Sequence, residues 1–132
     1  MQANDVEKNL IDRVAMGDMF RRRAASAAQS TALVEYRNGQ RLHLSYLQLN
    51  QSLNQVANSL YSLGVKAGDR VALAGFNSID FAQALYGCMK AGIVIVPLNH
   101  LQGKDDLTYT INHCAAKAVI VEDSLTEKFD AI

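Results

Sequence analysis

Few residues in this chain could do acid–base, metal or anion chemistry, and they are scattered. His43, His100 and His113 are far apart, with no nucleophile or carboxylate at motif spacing from any of them. The surrounding pattern puts His43 in a strand, His113 in a helix and His100 in the loop after Pro97. His100 has the best functional prospect because it lies beyond a strand's C-terminal end, although a solvated loop histidine is the commoner case. Asp105 and Asp106 could be paired carboxylates or metal ligands. Adjacent residues on a helix point in different directions, however, and first-turn acids favour the helix dipole, which accounts for them better. Arg21-Arg22-Arg23 could meet a ligand phosphate, but a solvated helix face explains such a run more simply. Cys88 and Cys114 sit in apolar helical stretches without a CxxC or Cys/His ligand spacing, so buried free thiols are expected rather than a disulfide or a metal site.

The remaining candidate is the turn Gly75-Phe76-Asn77-Ser78, which follows a strand, where open α/β sheets place nucleotides. Neither G-x-G-x-x-G nor G-x-x-x-x-G-K-[ST] is present, and one Gly followed by Phe cannot gather several amides around a pyrophosphate. No catalytic, cofactor-binding or metal-binding residue is therefore assigned.

The elements that would position these residues are well marked. Residues 10–28 carry Phe20, Ala24 and Ala27 at helical spacing, with a break or restart at Gly17-Asp18. Residues 32–36 and 41–44 flank Asn38-Gly39, a dipeptide suited to the positive backbone angles of a two-residue hairpin. Ser45 and Gln48 form an S-x-x-Q capping box at the start of a helix. Its apolar stripe is Tyr46, Leu49, Leu53, Val56, Leu60 and Leu63, and Gly64 can stop it in a Schellman motif with Val65 folding back on Leu60. Gly68-Asp69 turns the chain again.

From Arg70 onward strands and helices alternate. Residues 71–74 are too short and evenly apolar for a surface strand, which predicts a central one. Asn77 or Ser78 caps the next helix, with Asp80 in its first turn and Ala82, Leu85, Tyr86 and Met89 on one face of a largely buried element. Gly92 ends it. Residues 93–96, Ile-Val-Ile-Val, predict a parallel strand covered on both faces and closed by Pro97. A helix with Leu107, Ile111 and Cys114 inward leads to a strand at residues 118–121. The predicted fold class is α/β: a parallel three-stranded β-α-β-α-β unit with right-handed crossovers, and an N-terminal helix and hairpin beside it.

Composition agrees with an ordinary folded protein. The 132 residues are 49% hydrophobic and 20% charged, which is enough for a real core. Thirteen basic residues balance thirteen acidic ones, so there is no electrostatic footprint for nucleic acid. No apolar run approaches the ~18 residues of a membrane span and none resembles a signal peptide, so a cytoplasmic location is expected.

Several ordered motifs carry a family resemblance. Gly64-Val65-Lys66-Ala67-Gly68-Asp69-Arg70-Val71-Ala72 resembles the G-V-x-x-G-D-x-V-A segment of the adenylate-forming superfamily, which includes acyl-CoA synthetases, peptide-synthetase adenylation domains and luciferases. Ser45-Tyr46-Leu47-Gln48-Leu49 is similar to the T-Y-x-E-L that precedes that segment in the family. Asn77-Ser78, Gly87-Cys88-Met89-Lys90-Ala91-Gly92 and Val96-Pro97-Leu98-Asn99 resemble its N-S, G-x-x-K-A-G and V-P-L-N. The resemblance covers about Met16 to Asp123. It departs from the family at scaffold positions: Gln29 and Ile79 stand near common prolines, and Gln48 replaces a frequent Glu.

The resemblance implies an AMP-forming acyl-CoA synthetase that joins a carboxylic acid, most naturally a fatty acid, to CoA. ATP, magnesium and CoA are implied for the whole enzyme and none for this chain. The family's Ser/Thr/Gly-rich phosphate loop, its aromatic-Gly-x-Thr-Glu segment, its ribose-binding Asp and its C-terminal Lys do not occur among residues 1–132. Residues 1–132 are accordingly expected to be an N-terminal subdomain, inactive alone, with the downstream half of the domain and the C-terminal domain absent. Family members often dimerise through N-terminal segments, and uncovered sheet edges would point the same way, so a homo-oligomer is expected. The alternative is a free-standing α/β binding or interaction module. Fatty-acyl and aryl substrates, and CoA and carrier-protein acceptors, are not separated by these motifs.

Overall fold

A computed structural model describes residues 15–130 and 132. The first element among the described residues is α1 (Met16–Ser26), which starts with Gly17 and Asp18 in its first turn. Residues 10–14 of the expected helix lie outside the described residues. The hairpin β1 (Thr31–Arg37) and β2 (Gln40–Ser45) turns at Asn38 and Gly39, with φ of 52° and 76°, as its Asn-Gly dipeptide requires.

Helix α2 (Tyr46–Ser62) begins with the expected reciprocal cap. Gln48 N–H donates to Ser45 Oγ at 3.2 Å, and Ser45 N–H donates to Gln48 Oε1 at 2.9 Å. It ends in a Schellman motif at Gly64, φ 86°, where Val65 N–H reaches Leu60 O and Gly64 N–H reaches Tyr61 O, both at 3.0 Å. Leu49, Leu53 and Leu60 of its stripe are buried, but Leu63 is 77% exposed because it lies in the cap, where the helical face has ended.

The remaining elements are β3 (Arg70–Ala74), α3 (Ile79–Lys90), β4 (Val94–Pro97), α4 (Lys104–His113), β5 (Ala118–Val121), a 3-10 turn (Asp123–Leu125) and α5 (Thr126–Phe129). The three strands are parallel in the order β4-β3-β5, so the β-α-β-α-β unit has β3 at its centre. Val71, Ala72, Leu73 and Ala74 are accordingly 0–2% exposed. Alternation sends their side chains to two cores. Val71 packs with Ala57, Leu60, Cys88 and Ile93 on the side of α2 and α3, whereas Ala72 and Ala74 pack with Leu98 and Leu107 beneath α4. A third cluster of Phe20, Leu49 and Leu53 fastens α1 and the hairpin to α2.

Two burial expectations need correction. The sequence pattern predicted cover on both faces of residues 93–96, but β4 is an edge strand and Val94 is 51% exposed. The helix read as largely buried, α3, is mostly half-buried: Gly87 and Cys88 form its buried line, and Met89 is exposed. The reason lies in packing, because α2 crosses α3 at Gly87. A Cβ there would lie 2.6 Å from Val56 Cβ and Cγ1, so this close approach requires glycine.

Helices α3 and α4 end as α2 does. Gly92 (φ 69°) closes α3, with Ile93 N–H donating to Cys88 O at 3.0 Å. Ala115 (φ 50°) closes α4, with Ala116 N–H donating to Ile111 O at 3.2 Å. Ala115 thus holds a left-handed conformation without glycine's freedom.

Candidate functional site

The chain leaves β3 toward α3 on one face of the sheet and leaves β5 toward α5 on the other. Such divergence opens a crevice at the strands' C-terminal ends. A cleft of about 700 Å³ lies there. Its floor is apolar, with Leu73, Phe81 and Ile120, and its near wall is the turn Gly75–Ser78 singled out from the sequence.

That turn is held from two sides by carboxylates. Glu122, one residue beyond β5, accepts Phe76 N–H on Oε2 at 2.8 Å and the Ser124 hydroxyl on Oε1 at 2.9 Å. Its own N–H donates to Ala74 O at 2.9 Å, extending the β3–β5 pairing into the turn. A Cβ at Gly75 would come 3.2 Å from the Phe81 ring and 3.4 Å from the Glu122 carboxylate, so the position favours glycine. On the other side Glu35 Oε2 accepts Ile79 N–H at 2.8 Å, while Ser78 Oγ accepts Phe81 N–H at 3.0 Å. Of the two possible caps, Ser78 is the one used.

Arg37 completes the arrangement. Its Nε lies 2.7 Å from Glu35 Oε1, and its Nη2 lies 3.1 Å from Glu35 Oε2 and 3.0 Å from Asp80 Oδ2. The Arg37 hydrogen bond, followed by the Ile79 N–H, holds the Glu35 carboxyl below the usual carboxylate range, and the paired carboxylates raise the Arg37 guanidinium further. The chemical consequence is a donor-poor, acidic cleft. The amides of Phe76, Ile79 and Phe81 already serve protein oxygens, and the one guanidinium is shared by two carboxylates. The Phe76, Ile79 and Phe81 amides and the Arg37 guanidinium are therefore not free to hold the phosphates of ATP or CoA. Among the described residues no three His, Cys, Asp or Glu side chains converge to hold a metal ion.

The other candidates are dispersed. His100 packs edge-on against Phe76, with centroids 4.5 Å apart, so it does reach the cleft's turn. Its loop is tied down by Lys128 Nζ, which donates to His100 O at 2.6 Å and Gln102 O at 2.5 Å. His43 is exposed on β2, and His113 stacks on Tyr109 at 5.3 Å. Asp105 and Asp106 occupy the first turn of α4. Arg21 pairs with Asp18 at 2.9 Å, and Arg23 lies 5.2 Å over the Tyr46 ring. Cys88 and Cys114 are free thiols. Cys114 is only half-buried because it caps α4, whereas burial pushes the Cys88 thiol up to about 11.

Sequence reasoning missed Glu35, Arg37 and Glu122. One signal was available: Leu33, Glu35 and Arg37 alternate along β1 and share the face that turns inward.

The AMP-binding enzyme family model matches residues 20–132. The chain belongs to that family. It is 35% identical over 99 residues to a crotonobetaine/carnitine–CoA ligase of Proteus mirabilis, a match covering 74% of this chain and 19% of that protein. It is 34% identical over 117 residues to the long-chain-fatty-acid–CoA ligase FadD13 of Mycobacterium tuberculosis, covering 89% and 23%. The inhibitor-bound N-terminal domain of FACL13 from Mycobacterium tuberculosis superposes with a TM-score of 0.81 at 33% identity, over 89% of this chain and 29% of that one. The chain thus spans about a fifth of the length of the curated relatives it matches.

In this AMP-binding family chain two of the family motifs make local structural contacts. Gly64–Asp69 is the Schellman stop and the turn after it, in which Asp69 accepts Lys66 N–H at 2.8 Å. In Gly87–Gly92, glycine admits Val56, Gly92 closes α3, and Lys90 Nζ donates to Asn50 Oδ1 at 2.5 Å. The Lys90 stem lies against Gly17, where a Cβ would approach to 2.9 Å, so one side chain joins three helices.

Proposed function

We propose that this chain is the N-terminal subdomain of an AMP-forming acid–thiol ligase. With ATP it would activate a carboxylic acid, in our reading a fatty acid, to an acyl-adenylate, and would pass the acyl group to CoA. The observation that carries this is the continuous match of residues 20–132 to the AMP-binding family, with CoA ligases among the relatives at 34–35% identity. The role of these residues is architectural. They build the central sheet and the cleft's turn, and the acidic cleft leaves phosphate binding to other parts of the protein. We place the protein in the cytoplasm and in fatty acid metabolism. The long-chain-fatty-acid–CoA ligase among the relatives supports the metabolic placement, and among the described residues no helix is long and apolar enough to cross a membrane. Self-association is part of the same reading, supported by the half-exposed Val94 on edge strand β4.

The test is pyrophosphate exchange with ATP, magnesium and a panel of fatty acids. It is run on the chain alone and on a chimera in which residues 20–132 replace the matching segment of FadD13. No exchange is expected from the chain and fatty-acid-dependent exchange from the chimera. Steady exchange by the isolated chain, or a folded chimera without activity, refutes the proposal.

A further inference from the structure

A segment follows the C-terminal end of each parallel strand: the turn Gly75–Ser78 after β3, residues 98–103 after β4, and residues 122–129 after β5. These segments are bound to one another in a closed ring. Glu122 accepts the Phe76 N–H, which joins the segment after β5 to the turn. The Phe76 and His100 rings meet edge-on at 4.5 Å, which joins the turn to the loop after β4. Lys128 Nζ donates to His100 O and Gln102 O, which joins that loop back to the segment after β5.

The aromatic pair is the weak link, since an edge-on contact contributes less than a charge-assisted hydrogen bond and does not by itself fix a half-buried loop histidine. The loop has little else to hold it. Asn99 bonds the N–H groups of Leu101 and Gln102, but both partners lie within the loop, and among the described residues the hydrogen bonds that attach residues 99–102 to another element are those of Lys128. Lys128 is itself well anchored. Its neighbours Leu125 and Phe129 pack against the cluster of Ala72, Ala74, Leu98 and Leu107.

We propose that Lys128 is a positioning residue: it sets the His100 imidazole on Phe76, although its hydrogen bonds reach only backbone, and it locks the three segments into one unit that opens and closes together. Open α/β sheets place their ligands beyond the carboxyl ends of the strands, so a group bound there is felt by all three segments at once. The ring is made by this chain's own residues. Its test is separate from the acid–thiol ligase reading, which stands or falls on pyrophosphate exchange.

Native-state hydrogen exchange followed by NMR, together with the chemical shift of the His100 ring protons, tests it in wild type, Lys128→Met and Lys128→Arg. Lys128→Met keeps the apolar stem and removes the ammonium. It should speed exchange of the Phe76 amide about tenfold or more and move the His100 ring signals toward their unstructured positions as the Phe76 ring current is lost. Ile79, whose N–H is held by Glu35 outside the ring, and the amides of β3 should keep their wild-type rates. Lys128→Arg should restore both readouts. Glu122→Ala approaches from the other side of the ring and should also move the His100 signals; with Lys128→Gln it serves if Lys128→Met does not fold. Unchanged Phe76 exchange and His100 shifts in the Lys128 variants, or equal acceleration at Ile79 and throughout β3, overturns the proposal.

Discussion

Replacing Gly87 by alanine should destabilise the protein even though alanine is the better helix former. In the middle of α3 the exchange removes glycine's backbone entropy penalty and contributes about 1 kcal/mol in favour of the mutant. The new Cβ, however, would lie 2.6 Å from both Val56 Cβ and Cγ1, and 3.3 Å from Cγ2. Carbon atoms in contact prefer about 3.5–4.0 Å, so α2 and α3 must separate by roughly 1 Å. Separation loosens the core that Ala57, Leu60 and Cys88 share with Val71. Overpacking of this kind costs about 1–3 kcal/mol, and two clashing atoms place the site toward the upper end. The expected net loss is about 1–2 kcal/mol, read as a lower urea midpoint with unchanged slope. Val56→Gly removes the opposing atoms, so adding Gly87→Ala in that background should be neutral or stabilising. The double-mutant coupling should then exceed about 1 kcal/mol. A Gly87→Ala protein at least as stable as wild type, or a coupling near zero, would refute the close-approach argument.

Helix ends provide a matched pair of tests: Gly64→Val should lose about 1–2 kcal/mol and Ala115→Gly should gain about 1 kcal/mol. A Cβ at Gly64 meets nothing within 4 Å, so only the backbone angle is at stake there, and equal denaturant midpoints for Gly64→Val and wild type would discard the left-handed stop. For Glu35 the folded state holds the pKa down, so its contribution is present above the ordinary carboxylate value and is lost as pH falls through the lowered one. Stability measured from pH 7 to 3 should therefore fall less steeply in Glu35→Gln, and parallel curves would exclude the Arg37 and Ile79 bonds as the cause. At pH 8 Cys88, with its thiol near 11, should react with a thiol reagent about a hundredfold more slowly than an ordinary cysteine, and more slowly than Cys114. Equal labelling rates in the native protein would contradict its burial.

Much of the fold was legible in the sequence because its signals are local. Asn38-Gly39, the Ser45/Gln48 box and Gly64-Val65 each specify a turn or cap through atoms no more than a few residues apart. The alternation of apolar strands and amphipathic helices from Arg70 onward likewise predicted the β-α-β-α-β order. The ordered motifs reached further, to the family, since a family keeps its scaffold residues in register along the chain. What the sequence could not show was which strand lies at the edge, or that glycine is needed at position 87. Val94 and Val71 look equally apolar, and only the order β4-β3-β5 buries one and exposes the other.

The cleft was hidden for the same reason. Glu35 and Ile79 are 44 residues apart, and Glu122 and Phe76 are 46 apart. Nothing in either neighbourhood marks a carboxylate as the partner of a distant amide. The sequence by itself determined the elements, their caps and the family, because those follow from periodicity and short-range hydrogen bonding. Tertiary structure alone decided that the Phe76 amide in the candidate turn and the Ile79 amide just after it are already occupied by carboxylates, because a hydrogen bond depends on where the chain returns in space, and no spacing along it records that.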